Sequence, residues 1–204
     1  VDGGIDVPAH PLLVPPTGLT VEAWIAYDDR TIATGAFHWP TIARQNISPG
    51  QEVFNFRVPA SNNASRTLEF YVRAGTGTQR VSYAFAANEF VPFTHVAATY
   101  DGQVLKLYKN GAEVASFTAA TANELVNNGG ILRIGNGDPV SPGRETWNGL
   151  LDEVRIWPMA RTAAEIQATM HQSLANVAGR VLTFPLDGHA VDTSNGLVGT
   201  LFGS

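Results

Sequence analysis

A chain of 204 residues that is 44% hydrophobic can fill one large core, yet at 15% its charged content falls well short of the usual quarter. A net charge of −5, without any cluster of Lys or Arg, argues against nucleic acid and anionic membrane as partners. Zero cysteines remove disulfide staples, thiolate metal sites and a Cys nucleophile together, and no apolar run of about 18 residues is present to cross a membrane.

Turn residues recur about every 8 to 12 positions, the spacing of a β-sandwich. Leu19 to Tyr27 alternates apolar and polar residues and reads as a strand. Thr41 to Gln45 is a short strand before a turn at Asn46 to Gly50; Val53 to Val58, Thr67 to Arg73 and Arg80 to Phe85 follow. Phe93 to Phe117 is the most informative stretch, with three alternating runs separated by Asp101-Gly102 and Asn110-Gly111. Those dipeptides supply the positive φ that two-residue hairpin turns require, so three consecutive antiparallel strands are predicted. Ile131 to Gly135, Trp147 to Trp157, Val181 to Leu186 and Leu197 to Phe202 complete the strands. One helix is predicted over 162–174: Thr162 and Glu165 form a capping box, and Ile166 with Met170 gives one apolar edge, enough for a surface helix to dock on a sheet.

No internal repeat is present. The start at Val1, without Met or a leader, is expected of an excised module or a mature fragment. Asn46-Ile47-Ser48 and Asn63-Ala64-Ser65 would accept glycans only on a eukaryotic secretory route.

Six pieces occur in order: VDGGIDV at the start, LTVEAWIAY, HVAATYDG with LKLYKNGAEVAS, LRIGNG, NGLLDEVRIWPMART, and AAEIQA. On these the chain resembles the laminin G-like modules of bacterial secreted proteins, in the concanavalin A-like lectin/glucanase superfamily and related to the pentraxins. The resemblance covers most of residues 1 to 174. It implies an all-β jelly-roll sandwich of two antiparallel sheets with one short surface helix. The final segment, FPLDGHAVDTSNGLVGTLFGS, resembles a stretch that in this family usually precedes the start of a module. Either residues 180–204 supply closing strands to a single domain spanning 1–204, or they begin a tandem copy. The first reading keeps Val198, Leu201 and Phe202 from being stranded in solvent.

A structural calcium is expected from the same resemblance, because related superfamily members hold one with an Asp in the penultimate strand and carbonyls near the first. Carried onto this chain, that points to Asp152, with Asp2 as second carboxylate and Asp6 and Asp187 as weaker candidates. Strand alternation puts Asp152 on the side of Val154 and Ile156, where an unpaired carboxylate would be costly and would need a cation or several donors. The alternative is that Asp152 takes backbone amides and Asp2 makes a turn with Gly3 and Gly4.

If Phe54, Phe56, Val58, Leu68, Phe70 and Val72 face the core, then Asn55, Arg57, Glu69, Tyr71 and Arg73 face out, and Arg80 and Ser82 extend the row. An aromatic ring among planar hydrogen-bonding groups suits a sugar, although a solvated sheet face has the same pattern. Phe37, His38 and Trp39 add a possible aromatic loop, and Trp39 joins the ligand-binding set. Glu22 and Arg155 each lie opposite their strand's apolar side and are expected to form a structural ion pair, while His95 packs or caps beside its strand.

Signals for catalysis are poor. The ExDxxE pattern of superfamily glucanases is absent, and alternation puts Asp152 and Glu153 on opposite faces. The five histidines have no ligand spacing, and there is no G-x-S-x-G, P-loop or dinucleotide glycine pattern. The expectation is a non-catalytic module, part of a larger secreted or cell-surface protein, that binds glycan or an extracellular protein. A polysaccharide hydrolase or lyase with an atypical site, and a structural spacer of an adhesin, are the alternatives.

Overall fold

The turn chemistry between Thr94 and Thr118 organises half the molecule. In the computed structural model, β9 (Thr94–Tyr100), β10 (Val104–Lys109) and β11 (Ala112–Thr118) form the antiparallel series predicted. Asn110 and Gly111 carry φ of 50° and 74°, the paired positive values of a tight hairpin. The Asp101 connection runs instead through 101–103: Asp101 Oδ1 accepts from the amides of Gln103 and Val104, and Gly102 takes φ 101°. The structure describes residues 3–13, 17–27, 37–46, 51–61, 66–86, 93–126, 129–137, 144–172, 179, 182–186 and 197–202.

The other strands are β1 (Gly4–Val7), β2 (Leu19–Tyr27), β3 (Phe37–His38), β4 (Thr41–Asn46), β5 (Glu52–Arg57), β6 (Ala60–Ser61), β7 (Thr67–Ala74), β8 (Gly77–Ala84), β12 (Ile131–Ile134), β13 (Gly149–Trp157), β14 (Leu182–Phe184) and β15 (Thr200–Phe202). A seven-stranded sheet runs β15-β1-β12-β4-β5-β7-β8, and a six-stranded sheet runs β11-β10-β9-β2-β13-β14. All their pairings are antiparallel, and β3 and β6 make a separate two-stranded ribbon. This is the jelly-roll sandwich that the sequence leads one to expect. At the C-terminus β15 pairs with β1, Gly4 opposite Phe202, so the last strand adds to the seven-stranded sheet of its own chain.

Between the sheets, Phe54, Phe56, Leu68, Phe70 and Val72 meet Val21, Ala23, Ile25, Val96, Ala98, Leu105, Leu107, Val154 and Ile156, all fully buried. Phe56 and Phe70 pack edge to face with centroids 6.0 Å apart. Each such large side chain contributes about 1.5–3 kcal/mol by leaving water. With the apolar alternation spent on this layer, the polar partner of each pair points to one of the two outer faces.

The helix is shorter than predicted. It spans Ala163–Thr169, with Thr162 as N-cap and the capping box formed with Glu165. Ile166 is fully buried against Ala97 and Tyr108, which docks α1 on the outside of the six-stranded sheet. Beyond Thr169 the carbonyls turn to other partners: Met170 O accepts from Trp24 Nε1, and Gln172 O from Arg155 Nη2.

Candidate functional site

Register across the seven-stranded sheet lines up one residue from every strand: Thr200, Asp6, Arg133, Arg44, Asn55, Tyr71 and Arg80 stand opposite one another in turn. The next row is Thr41, Arg57, Glu69 and Ser82. Both rows lie on the face away from the core, so Asn55, Arg57, Glu69, Tyr71 and Arg73 share a face as the alternation predicts.

That face is closed rather than open, which corrects the picture of a solvated aromatic platform. Asn55 is 1% exposed and Tyr71 8%. The guanidiniums of Arg57 and Arg80 lie 5.1 and 5.6 Å from the Tyr71 ring centroid, and the Tyr71 hydroxyl accepts from Asn55 Nδ2 at 3.2 Å. Burial pushes the Tyr71 phenol above its ordinary range, against the pull of Arg57. Arg57 and Arg80 both bridge to Glu69, Arg57 Nη2 at 2.5 Å and Arg80 Nη1 at 3.3 Å. The ring is therefore a spacer between cations, with little surface left for a sugar to stack on.

What remains accessible is the cationic rim. The Arg80 side chain is 57% exposed, and half-buried Arg73 makes no ion pair with any described residue. Arg73, Tyr71 and Glu52 line a cleft of about 270 Å³ with Thr76 of the β7–β8 turn and Gly77 and Thr78 at the start of β8. Trp39 sits at the other end, where its amide donates to Arg144 O and Pro40 O accepts from Val58 N, so it is not brought to this cleft.

Several residues of this face were missed by sequence reasoning. Arg44 reaches Glu52 at 2.8 Å and Glu145 at 2.5 Å, and Arg133 reaches Asp6 at 3.2 Å. Asp6, weighed above as a metal ligand, is thus an ion-pair partner, its carboxyl raised by burial against the pull of Arg133. Arg44 was illegible because β4 slips register on both sides of it and all six of its residues are buried. Glu145 reaches it because Trp39 N and Thr41 N donate to Arg144 O and Glu145 O, which draws that segment alongside. Asn55 Oδ1 and Arg44 Nε, on opposed positions, are buried without a protein partner.

The six-stranded sheet has its own outer cluster. Glu22, fully buried, accepts from Trp157 Nε1 at 2.9 Å and Arg161 Nη1 at 3.3 Å, with Arg155 at 3.6 Å and His95 Nε2 at 3.7 Å. The expected Glu22–Arg155 pair is present, but sealed beneath α1. Burial raises the Glu22 carboxyl despite these cations. Burial first, and then Arg155, lowers His95 from 6.5 to about 3, so it is neutral.

Asp152 is displaced from its expected face. A bulge between Asp152 and Arg155, with Glu153 at φ 49°, inserts one extra residue opposite β2. Leu151 then pairs with core-facing Ile25, and Asp152 with Trp24 on the outer side, away from Val154 and Ile156. The bulge also brings Asp152 and Glu153 into one cleft rather than onto opposite faces. Asp2 and Asp187 lie outside the described residues. Asp152 Oδ1 takes the Glu153 amide, Glu153 is paired with Arg155, and the carbonyls of Thr169, Met170 and Gln172 already accept from Arg155 or Trp24. Calcium takes six to eight oxygens. The described residues around Asp152 do not make such a site, and no three described His, Asp or Glu side chains gather to hold a metal ion.

A family model of the concanavalin A-like lectin/glucanases superfamily, laminin G type 3, matches residues 1–167. The chain belongs to this family. Among curated proteins, this laminin G-like chain is similar to pappalysin-1 of Mus musculus, 29% identical over 116 residues, and of Homo sapiens, 30% over 105 residues. Those matches cover 54% and 49% of the chain but only 7% and 6% of pappalysin-1. A candidate carbohydrate-binding protein from Bacteroides ovatus superposes with a TM-score of 0.69 at 24% identity, over 100% of this chain and 56% of the other. The CBM40 of a Ruminococcus gnavus sialidase, bound to α2,3 sialyllactose, gives 0.57 at 14% identity, over 82% and 93%. The heptameric SAP-like pentraxin of Limulus polyphemus gives 0.55 at 19%, over 81% and 80%. At these identities the structural likeness establishes the fold. Among the described residues no helix is long and apolar enough to cross a membrane.

Proposed function

We propose that the chain is a non-catalytic carbohydrate-binding module of a larger extracellular protein, and that glycan is held at the accessible cationic rim of the seven-stranded sheet's outer face. The larger chain is supported by the small share of pappalysin-1 that the match spans. Carbohydrate as ligand is supported by family membership and by structural neighbours that are themselves described as carbohydrate-binding. The observation that carries the site is Arg73, which lines a cleft with the hydroxyls of Thr76 and Thr78, together with the 57%-exposed side chain of Arg80 at the edge of the ion-paired network. Sugar hydroxyls both donate and accept; guanidiniums donate to their oxygens, while Glu52 of the cleft accepts from them. Because Arg57, Glu69 and Tyr71 already hold one another, binding freezes few additional rotamers.

A glycan array followed by calorimetry on Arg73→Ala and Arg80→Ala tests this. Both side chains are accessible, so each variant keeps the fold and weakens the best glycan about tenfold, as expected for loss of a charge-assisted hydrogen bond of about 1.5 kcal/mol. Unchanged affinity in both variants, or no glycan bound at all, would refute the assignment.

A further inference from the structure

The cleft on the opposite sheet, where the β13 bulge meets the end of α1, has a chemistry distinct from the glycan face. It measures about 260 Å³ and is walled by Trp24, Phe93 and His171, with Asp152 and Glu153 in its rim. Phe93 is 44% exposed, and the His171 ring lies tilted on Trp24 with centroids 5.2 Å apart. Two of the four positive-φ non-glycine residues among those described, Phe93 at 53° and Glu153 at 49°, line this one cleft. Such backbone costs about 1–3 kcal/mol per residue and gathers at functional sites.

The hydrogen-bonding inventory of the walls is one-sided. Trp24 Nε1 is spent on Met170 O, Arg155 on Glu153, Thr169 O and Gln172 O, and Gln172 Nε2 on Ala168 O. Among the side-chain donor atoms of the described walls, only the His171 ring nitrogen lacks a described partner, and a neutral imidazole brings an acceptor beside that donor. On the acceptor side, Asp152 receives a single amide hydrogen and has no ion pair with any described residue. A sugar needs donors and acceptors in comparable number, and a hard divalent ion needs more free oxygens than are left. An ammonium group, three donors and no acceptor on an apolar stem, matches a free carboxylate framed by aromatic faces.

We propose that this cleft binds a lysine side chain of a protein partner, its ammonium on Asp152 and its methylenes between Phe93 and Trp24. The site is independent of the glycan face, so either assignment can fail without the other.

The test follows the Trp24 indole N–H and His171 ring signals by NMR while Nα-acetyl-lysine methylamide is titrated to millimolar concentration. Both signals shift with the lysine derivative and not with its norleucine counterpart, which has the stem without the charge. Asp152→Asn weakens the response at least tenfold. Phe93→Gly weakens it too while keeping the fold, since glycine adopts φ 53° freely. Arg80→Ala, on the far sheet, leaves it unchanged. Equal shifts with norleucine, an unchanged response in Asp152→Asn, tighter binding of an uncharged N-acetylglucosamine trimer, or the same signals moved by calcium chloride alone would each overturn the proposal.

Discussion

Acidification should weaken this protein through one histidine. His95 lies 1% exposed in β9, with Glu22, Arg155, Arg161 and, across Trp24, His171 around it. Folding lowers its pKa from 6.5 to about 3, so between those values the unfolded chain holds the proton and the folded chain does not. Its contribution is therefore intact above about pH 6.5 and lost as pH falls toward 3. At about 1.4 kcal/mol per pH unit, moving from neutrality to pH 5 costs about 2 kcal/mol, or about 4–8 °C in Tm for a domain this size. Glu22 works the other way: its raised carboxyl binds the proton more tightly when folded, so its contribution grows as pH falls. Urea unfolding at pH 7 and pH 5 separates the two. His95→Gln removes the first effect and keeps the second, so its stability holds as pH falls while the wild type loses about 2 kcal/mol. Should the substitution prevent folding, NMR titration of the wild-type His95 ring serves instead. Equal losses in variant and wild type, or a His95 ring titrating near 6.5, would refute the reasoning.

Gly149→Ala should destabilise by about 3 kcal/mol or more, because φ is 139° and a Cβ would collide with the Ala26 carbonyl; Gly77→Ala, with nothing within 4 Å, should stay within about 0.5 kcal/mol, both read by urea unfolding. Thr162→Ala should cost about 1 kcal/mol by removing the capping box, a fall of about 2–4 °C in Tm. EDTA should leave Tm unchanged; a fall restored by calcium chloride would show that a structural calcium is completed by residues beyond those described.

The fold was legible wherever alternation ran unbroken. Leu19–Tyr27 and Thr67–Ala74 were read almost to the residue, and Asn110-Gly111 fixed its hairpin because only a few residue types tolerate two successive positive φ values. Legibility failed at the bulges. Between Asp152 and Arg155 one inserted residue reverses every side assignment upstream, and nothing in LLDEVRIW marks Glu153 as the residue that will adopt φ 49°. The short strand β1, four residues long, was missed for want of length to show a period, although its sequence carried the family likeness. Burial was the other gap. Facing away from the core was taken as facing water, yet Asn55 is buried and Tyr71 is covered by the long side chains of Arg57 and Arg80, whose order across the sheet depends on register among distant strands.

Both outer faces bury charges, but what lies above them differs, and that assigns them different work. Around Glu22, the arginines end on main-chain oxygens of α1 and the turn that follows it: Arg155 on Thr169 O and Gln172 O, Arg161 on Glu165 O. Those bonds tie a seven-residue helix, too short to stand alone, onto the sheet, which explains the cluster without any ligand. On the seven-stranded sheet the guanidiniums of Arg44, Arg57 and Arg80 end on the side-chain carboxylates of Glu52, Glu69 and Glu145. Ion pairs desolvated in this way add little stability over apolar side chains of the same volume. A fold that needed only stability would gain as much from leucines at those positions. Orienting polar groups toward something outside the chain is what such a network does better than a hydrocarbon surface; under the proposed function that something is the glycan, which Arg73 in the cleft, unpaired among the described residues, and Arg80, the accessible member of the network, would meet.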